Sequence, residues 1–368
     1  MSQPFIYEQR PQRVYWETTR ACDLACRHCR AEAAPDPDPA ELTTAEGGRL
    51  LERLAAFGEP LPHVVLTGGD PLKRKDLFDL IAAARALGLG VSVAPSATPL
   101  LTPDALRQLR AAGIDAISLS LDGSTAERHD AIRGIAGTYE RTLEAARVAR
   151  ETGLPFQVNT LVCAETFDDL PAIHDHVIAM GAARWSLFFL VAVGRGQVLE
   201  PVSAERAETL LGWVAGLSGP PGRGRLVVTT TEAPQLRRVI MERRRAARGA
   251  DAQVAPASHG SAHRAGIRDG NGILFISHTG EICPSGFLEI STGNVRRDDV
   301  VEIYRTSTLF RELRDPDAFG GRCGRCEYRW VCGGSRARAF STSGDPLAED
   351  PLCLHEPPAP GVADPDNA

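Results

Sequence analysis

Residues 13–29 read RVYWETTRACDLACRHC, a short β-rich run that empties into three cysteines, Cys22, Cys26 and Cys29. Outward from that junction, five more apolar or β-branched runs follow, at 63–67, 89–94, 116–121, 156–162 and 184–190. Each is nearly continuous in apolar residues, the pattern of a strand covered on both faces. Between them lie segments rich in Ala, Leu and Arg at helical spacing. Thr43, Thr44 and Glu46 open one with the pieces of a capping box, and Thr102-Pro103 opens another. Gly88, Gly113, Gly153 and Gly181 close four of them. Strand and helix in alternation predict a parallel sheet, closed into a complete or partial barrel or left open and doubly wound. Both arrangements put chemistry at the C-terminal ends of the strands, and the three cysteines follow the first such end.

The bulk of the chain fits this reading. Its 368 residues allow one α/β domain of about 200–250 residues and a smaller unit. No stretch reaches the roughly 18 uncharged apolar residues of a membrane span. The opening MSQPFIYEQRPQRVYWE has neither a signal nor a transit-peptide pattern. A soluble, cytoplasmic protein with no membrane partner is expected. A formal charge of -6 argues against a nucleic-acid partner, because such binding depends on clustered cations. Nine cysteines without a secretion signal point to metal or redox chemistry rather than disulfides.

Three thiolates on one loop can hold a soft metal. A zinc knuckle completed by Asp23 or His28 is one reading, and plain reduced thiols another. A 4Fe–4S cube is the third; it wants four protein ligands, so three leave one iron open, and an open position marks a catalytic site.

CDLACRHC after a first strand resembles the CxxxCxxC signature of the radical S-adenosylmethionine (SAM) superfamily. Thr67-Gly68-Gly69-Asp70-Pro71 resembles that family's GGE motif, whose backbone holds the SAM amino group, with Asp70 in place of the usual Glu. Ser118 to Gly123, SLSLDG, resembles the segment that reaches the SAM ribose and carboxylate. The resemblance implies Ser120 as the foremost contact there, with Asp122, Arg133, Arg141 and Asn159 as further candidates. Asp122 reads also as a turn former, and Asn159 as a buried strand residue. The implied fold is α/β: a partial (β/α)6 TIM-like barrel over 1–217 and a small cysteine-rich C-terminal domain. The implied catalytic ligands are Cys22, Cys26 and Cys29, holding a SAM-binding 4Fe–4S cluster. Such enzymes reductively cleave SAM to a 5′-deoxyadenosyl radical that abstracts a substrate hydrogen, fed by a flavodoxin- or ferredoxin-type electron donor.

A second set, Cys323, Cys326, Cys332 and Cys353, is a closed four. Taken alone, the spacing fits structural zinc almost as well as iron–sulfur. The tail from Cys323 to Cys353 resembles the SPASM or twitch extension of radical SAM enzymes, which implies one auxiliary 4Fe–4S cluster on those four residues. Ser285 and Ser335 stand where ligands of another auxiliary cluster would be sought. Cys283 is an unusual ligand, a substrate-side thiol or a buried small apolar residue, and Cys163 reads as core. An auxiliary cluster with all four irons ligated suits electron relay; a structural clip is the other reading.

The expected organisation is the core to 217, a linker or irregular region at 218–270, the auxiliary-cluster domain at 271–356 and a disordered tail at 357–368. Within the linker, 218–225 and 246–270 are the least periodic. Residues 272–276 and 282 onward read as a small hairpin. CEYRWVCGGSRARA with Ser343-Gly344-Asp345 is most similar to radical SAM enzymes of alternative haem and haem d1 biosynthesis, which implies a tetrapyrrole-like substrate whose propionates are altered. Arg237, Arg238, Arg243, Arg244 and Arg245 could meet such carboxylates, or form a solvated helix face. A peptide maturase is the alternative; only 21 residues precede Cys22, so a leader-binding domain would have to be a separate protein. A non-catalytic zinc-binding module is the alternative of another class.

Overall fold

The computed structural model describes residues 6–217, 226–248 and 266–358. The expected linkers at 218–225 and 249–265, and the tail beyond 358, lie outside the described residues.

Six strands fall where the apolar runs stand: β1 (Arg13–Thr19), β2 (His63–Gly68), β3 (Gly90–Val93), β4 (Ala116–Ser120), β5 (Phe156–Val162) and β6 (Arg184–Phe189). Three more join them: β7 (Val227–Thr231), β8 (Ile273–Ile276) and β9 (Ile282–Cys283). The sheet order is β7-β6-β5-β4-β3-β2-β1-β8-β9, parallel throughout except for the β8–β9 hairpin. Among the described residues the edges β7 and β9 do not pair with each other, so the barrel is partial.

The crossovers are α1 (Thr44–Ala55), α2 (Leu77–Ala86), α3 (Pro103–Ala111), the pair α4 (Ala126–Arg133) and α5 (Thr138–Glu151), α6 (Leu170–Met180) and α7 (Ala204–Leu217). The capping box of α1 is complete, with Thr43 accepting from the Glu46 N–H and Glu46 returning the bond. Thr102 caps α3 with Pro103 at its first turn. After β7 come α8 (Gln235–Arg248), then α9 (Val300–Thr306), α10 (Thr308–Arg314), α11 (Gly321–Arg325) and α12 (Arg336–Ser343).

The stretch 218–270 is therefore not irregular throughout. Its residues 227–231, VVTTT, pair with β6 over five positions, and 235–248 form a helix. Three of the five residues of β7 are threonine, so a criterion of continuous apolar residues passes over it, although β-branching suits it to a strand.

One core runs from β1 to the C-terminal helices. It holds Val14, Trp16, Leu66, Val93, Leu119 and Trp185 and continues to Tyr304 and Phe310. Tyr304 packs edge-on against Phe57, 5.5 Å between ring centres, and its hydroxyl donates to the Tyr7 carbonyl at 2.7 Å. Apolar burial of this kind contributes about 1.5–3 kcal/mol per large side chain, and here it binds the cysteine-rich C-terminal part to the barrel. Among the described residues no helix is long and apolar enough to cross a membrane.

Candidate functional site

Two glycines let the cysteine loop begin where it does. A Cβ on Gly68, whose φ is +140°, would lie 2.1 Å from the Thr19 carbonyl oxygen, and one on Gly69 would lie 2.4 Å from that of Ala21. The end of β2 thus presses against the start of the loop after β1, and the Gly69 and Asp70 N–H groups donate to Thr19 and Ala21 at 2.8 and 2.7 Å. Farther on, Gly194 at φ +52° has room for no side chain, because a Cβ would meet the Arg30 and Cys29 carbonyls at 2.5 and 2.7 Å.

The loop carries its thiols inward. Cys22 and Cys26 are buried and Cys29 partly so. Each sulfur receives a donor: the Leu24 N–H reaches Cys22 at 3.4 Å, the Ala33 N–H reaches Cys29 at 3.4 Å, and Arg133 Nη1 reaches Cys26 at 3.7 Å. Burial pushes the Cys22 and Cys26 thiols above their ordinary range, so a bound metal would have to displace their protons. N–H donors around buried sulfurs suit thiolates on a metal.

The three cysteines line one cavity of about 220 Å³ together with Gly68, Gly69, Ser120, Asp122, Arg133 and Asn159. Ser120 and Asn159 are register partners on β4 and β5, which sets both on the same level of the sheet. Asp122 is buried, accepts from the Leu161 N–H at 2.7 Å and is ion-paired with Arg133. Burial alone would raise its pKa, but Arg133 holds it below the usual carboxylate range.

Asp70 and Arg141 stand apart. The Asp70 carboxylate is fully buried and accepts from Thr98 Oγ1 at 2.7 Å and the Leu72 N–H at 3.1 Å; it does not line the cavity. It shapes the turn after Gly69, a task an Asp performs as an N-cap. Arg141 donates to the Ala97 and Ala136 carbonyls at 2.9 and 3.3 Å and also lies off the cavity wall.

Lining residues not expected from the sequence include Arg30, Ser96 and Arg195, and His28, there weighed as a zinc ligand, lines the cavity too. Arg195 Nε and Nη1 bond the Cys26 and Ala33 carbonyls at 3.1 and 3.0 Å, while the buried Nη2 has no hydrogen-bond partner. The signal was the Gly194-Arg195-Gly196 triplet beyond β6. Burial, then Arg133, takes the His28 pKa down to about 4. Arg30 pairs with Glu17 at 2.9 Å and Glu289 at 2.7 Å. Glu17 also meets Arg20 and His278, and although burial opposes it, His278, Arg30 and Arg20 hold its carboxyl at about 2. Asp23 is paired with Lys73.

The second cysteine set lines a smaller cavity of about 20 Å³ with Gly333, Gly334 and Asp350. All four cysteines line it. The Tyr328 N–H reaches Cys326, and the Asp350 N–H reaches Cys323, each at 3.4 Å. A Cβ on Gly334 would stand 3.1 Å from the Cys323 sulfur. Burial pushes Cys326 and Cys332 up to about 12.

Among the described residues, the trio of Cys, His, Asp or Glu whose ligand atoms all lie within 4.8 Å of one another is Cys326, Glu327 and His355. Neither Cys22, Cys26 and Cys29 nor any three of the second set gather so closely.

The remaining expectations resolve in plain structural terms. Ser335 caps α12 and donates to Glu232, and Ser285 accepts from Phe287 and Leu288 in a turn. Cys283 is buried in β9 and borders neither cavity, and Cys163 packs with Ile132, Leu161, Leu190 and Leu199. Of the basic run, Arg237 bonds backbone carbonyls and Arg238 pairs with Glu208 and Glu242. Arg243, Arg244 and Arg245 are exposed, and none of the five borders the larger cavity.

A carboxyl pair escaped the sequence reading. Glu232, in a left-handed conformation (φ 58°) after β7, faces buried Asp269, Ser335 and Arg338; burial first and Asp269 second push its pKa well above the usual range. The two residues are 37 positions apart in sequence, and neither stands in a recognisable motif.

Residues 16–177 match the family model described as Radical SAM superfamily. The chain is 40% identical over 357 residues to the AdoMet-dependent heme synthase of Oleidesulfovibrio alaskensis, covering 95% of this chain and 89% of that one. It is 38% identical to the AdoMet-dependent heme synthase of Nitratidesulfovibrio vulgaris, covering 94% and 92%. Among solved structures, Streptococcus suis SuiB bound to precursor peptide SuiA superposes with a TM-score of 0.72 at 16% identity, over 94% of this chain and 76% of that one, a likeness of fold. The chain belongs to the radical SAM superfamily.

Proposed function

We propose that Cys22, Cys26 and Cys29 ligate the 4Fe–4S cluster that radical SAM enzymes share, and that the larger cavity takes SAM at its open iron. The observation that carries this is the convergence of three donor-supplied thiols, two of them buried, with Gly68, Gly69, Ser120 and Asn159 around one cavity. When bound and reduced, the cluster supplies the electron that splits SAM into methionine and a 5′-deoxyadenosyl radical, which abstracts a substrate hydrogen. The Gly68–Gly69 backbone receives the amino group of SAM, Ser120 and Asn159 the ribose, and Arg133 and Arg195 the carboxylate. Asp122 keeps Arg133 oriented. Phe188, Phe189, Leu190 and Phe287 give the cavity an apolar wall that shields a radical from water and thiols.

Cys323, Cys326, Cys332 and Cys353 hold one auxiliary 4Fe–4S cluster, which takes up the electron left on an oxidised product radical. Identity of 40% and 38% over nearly the full chain to heme synthases supports a tetrapyrrole substrate bearing propionate side chains. A flavodoxin- or ferredoxin-type donor feeds the first cluster, and the free thiols fit a reducing cytoplasm.

Anaerobically purified protein should contain about eight irons and as many sulfides, as two cubes require, and release 5′-deoxyadenosine with SAM and dithionite. Cys26→Ala should abolish that release, and colourless protein carrying zinc would defeat the reading. Absorbance titration with a propionate-bearing iron tetrapyrrole should saturate; saturation instead by a precursor peptide would assign the chain to peptide maturation.

A further inference from the structure

Three arginines converge on the second cysteine set without a carboxylate in ion-pair contact with any of them. Arg336 is fully buried; its Nη2 points to the Cys323 sulfur at 3.5 Å and its Nη1 bonds the Pro346 and Ala348 carbonyls at 3.2 and 2.6 Å. Arg268 is buried too, and its Nε and Nη2 have no hydrogen-bond partner. Both guanidiniums lie over the Phe319 ring, 4.5 and 5.3 Å from its centre. Arg237 bonds only the Val331 and Ile267 carbonyls, at 3.2 and 2.7 Å. Among the described residues none of the three has an ion pair. Nearby carboxylates are otherwise engaged: Asp350 faces Arg338 at 3.2 Å, and Asp269 shares its surroundings with Glu232.

Buried cations that repel one another are costly unless an anion stands beside them. Burial, then Arg336 and Arg237, lowers the Arg268 pKa to about 9, with Cys332 and Asp269 acting the other way. The first cysteine set is arranged differently. There Arg133 is neutralised by Asp122, and Arg30 by Glu17 and Glu289, while Arg195 keeps its charge for the ligand's carboxylate.

We infer that Arg336 and Arg268 are tuning residues that raise the reduction potential of the auxiliary cluster above that of the SAM-side cluster, so that electrons enter it from the product side. The inference rests on the proposed cluster at Cys323, Cys326, Cys332 and Cys353. A cube on four thiolates is a net anion, and reduction adds one more negative charge, so a desolvated guanidinium at hydrogen-bond range favours the reduced form. Arg268, with Nε and Nη2 unpartnered, adds its charge to the same set through Cys332. Electrons balance simply: the product radical loses one, the auxiliary cluster gains one, and an external acceptor of ferredoxin type later removes it.

The test uses the full chain with Cys22, Cys26 and Cys29 all changed to Ala, so that the iron present is auxiliary. Redox titration followed by electron paramagnetic resonance is run on that protein and on Arg336→Met, Arg268→Met and the two Lys variants. Each Met variant should lower the reduced fraction at fixed potential about tenfold, equivalent to about 59 mV for a one-electron couple, and each Lys should restore most of it. About four irons with an unchanged potential would overturn the inference, whereas a parent protein without iron would overturn the cluster assignment itself. If a Met variant fails to take up iron, melting decides. Loss of an uncompensated cation should raise the melting temperature of the metal-free variant above that of the metal-free parent; a fall would make the arginine a packing element and sink the inference.

Discussion

Cys22, Cys26 and Cys29 leave a β-strand and border a cavity of about 220 Å³, whereas Cys323, Cys326, Cys332 and Cys353 close around about 20 Å³. The first set is short of a ligand and roofed by polar groups from four neighbouring strand ends. The second is complete in ligands and wrapped by backbone and arginine. Open and closed coordination are the general mark of reacting and non-reacting metal sites. On the proposed assignment the contrast gives different work to two clusters that would contain the same atoms, one meeting SAM and the other moving charge.

Removing one ligand from each set breaks the comparison most sharply. Cys26→Ala should lower 5′-deoxyadenosine formation to background and halve the iron, because three thiolates are already the minimum. Cys326→Ala should also halve the iron yet leave SAM cleavage within about threefold of the parent, while substrate product disappears. Equal loss of SAM cleavage in both would erase the distinction; chromatographic assay of both products decides it. Next in size is Arg133→Met. It leaves Asp122 charged and buried without its partner, which costs about 3–5 kcal/mol, read by urea unfolding, and weakens SAM binding. Gly194→Ala follows at about 2–3 kcal/mol, because the new methyl meets two backbone oxygens at a left-handed position. It should also raise the KM for SAM, since the cysteine loop is what it pushes.

How legible each region was follows from how local its signals are. The six apolar strands, the capping box at Thr43 and Glu46, and the cysteines themselves are contiguous in sequence, so periodicity and spacing reveal them. Ser120, Asn159, Asp122 and Arg133 were legible through a family motif and do meet at the cavity. Asp70 was read as part of a binding motif because of its neighbours, but its side chain turns back into Thr98 and Leu72. What stayed hidden is assembled across distance. Arg195 reaches back 169 residues to Cys26, and Arg268 and Arg336 meet only around Phe319. A threonine-rich β7 concealed the strand that carries Glu232.

That residue sharpens the comparison through pH. In the fold burial and Asp269 raise the pKa of the Glu232 carboxyl, so its folded pKa lies above the unfolded one. The neutral form is stable in both states below the ordinary glutamate range, and stability is lost as pH climbs from there through the raised folded value. Wild-type protein should therefore melt lower at pH 8 than at pH 5, and Glu232→Gln should flatten that slope, gaining a few degrees at pH 8. The variant leaves the first cysteine set untouched, so SAM cleavage should be unaffected. A slope identical to that of the wild type would show that another group titrates.

The smallest effect is expected at Gly344, which ends α12 in the left-handed conformation at φ +78° with open space where a Cβ would go. Alanine there meets no neighbour, so the whole cost is the backbone preference of an L-residue, about 1 kcal/mol. Gly194 shares the sign of φ and differs in what surrounds it, so subtracting the two unfolding free energies isolates the price of crowding the cysteine loop. If Gly344→Ala proved as damaging as Gly194→Ala, the packing of that loop against the Gly194 turn would contribute nothing beyond conformation, and the wall of the SAM cavity would be softer than its distances imply. A differential of about 1–2 kcal/mol, with the KM for SAM changed in only one of the two variants, is what the geometry requires.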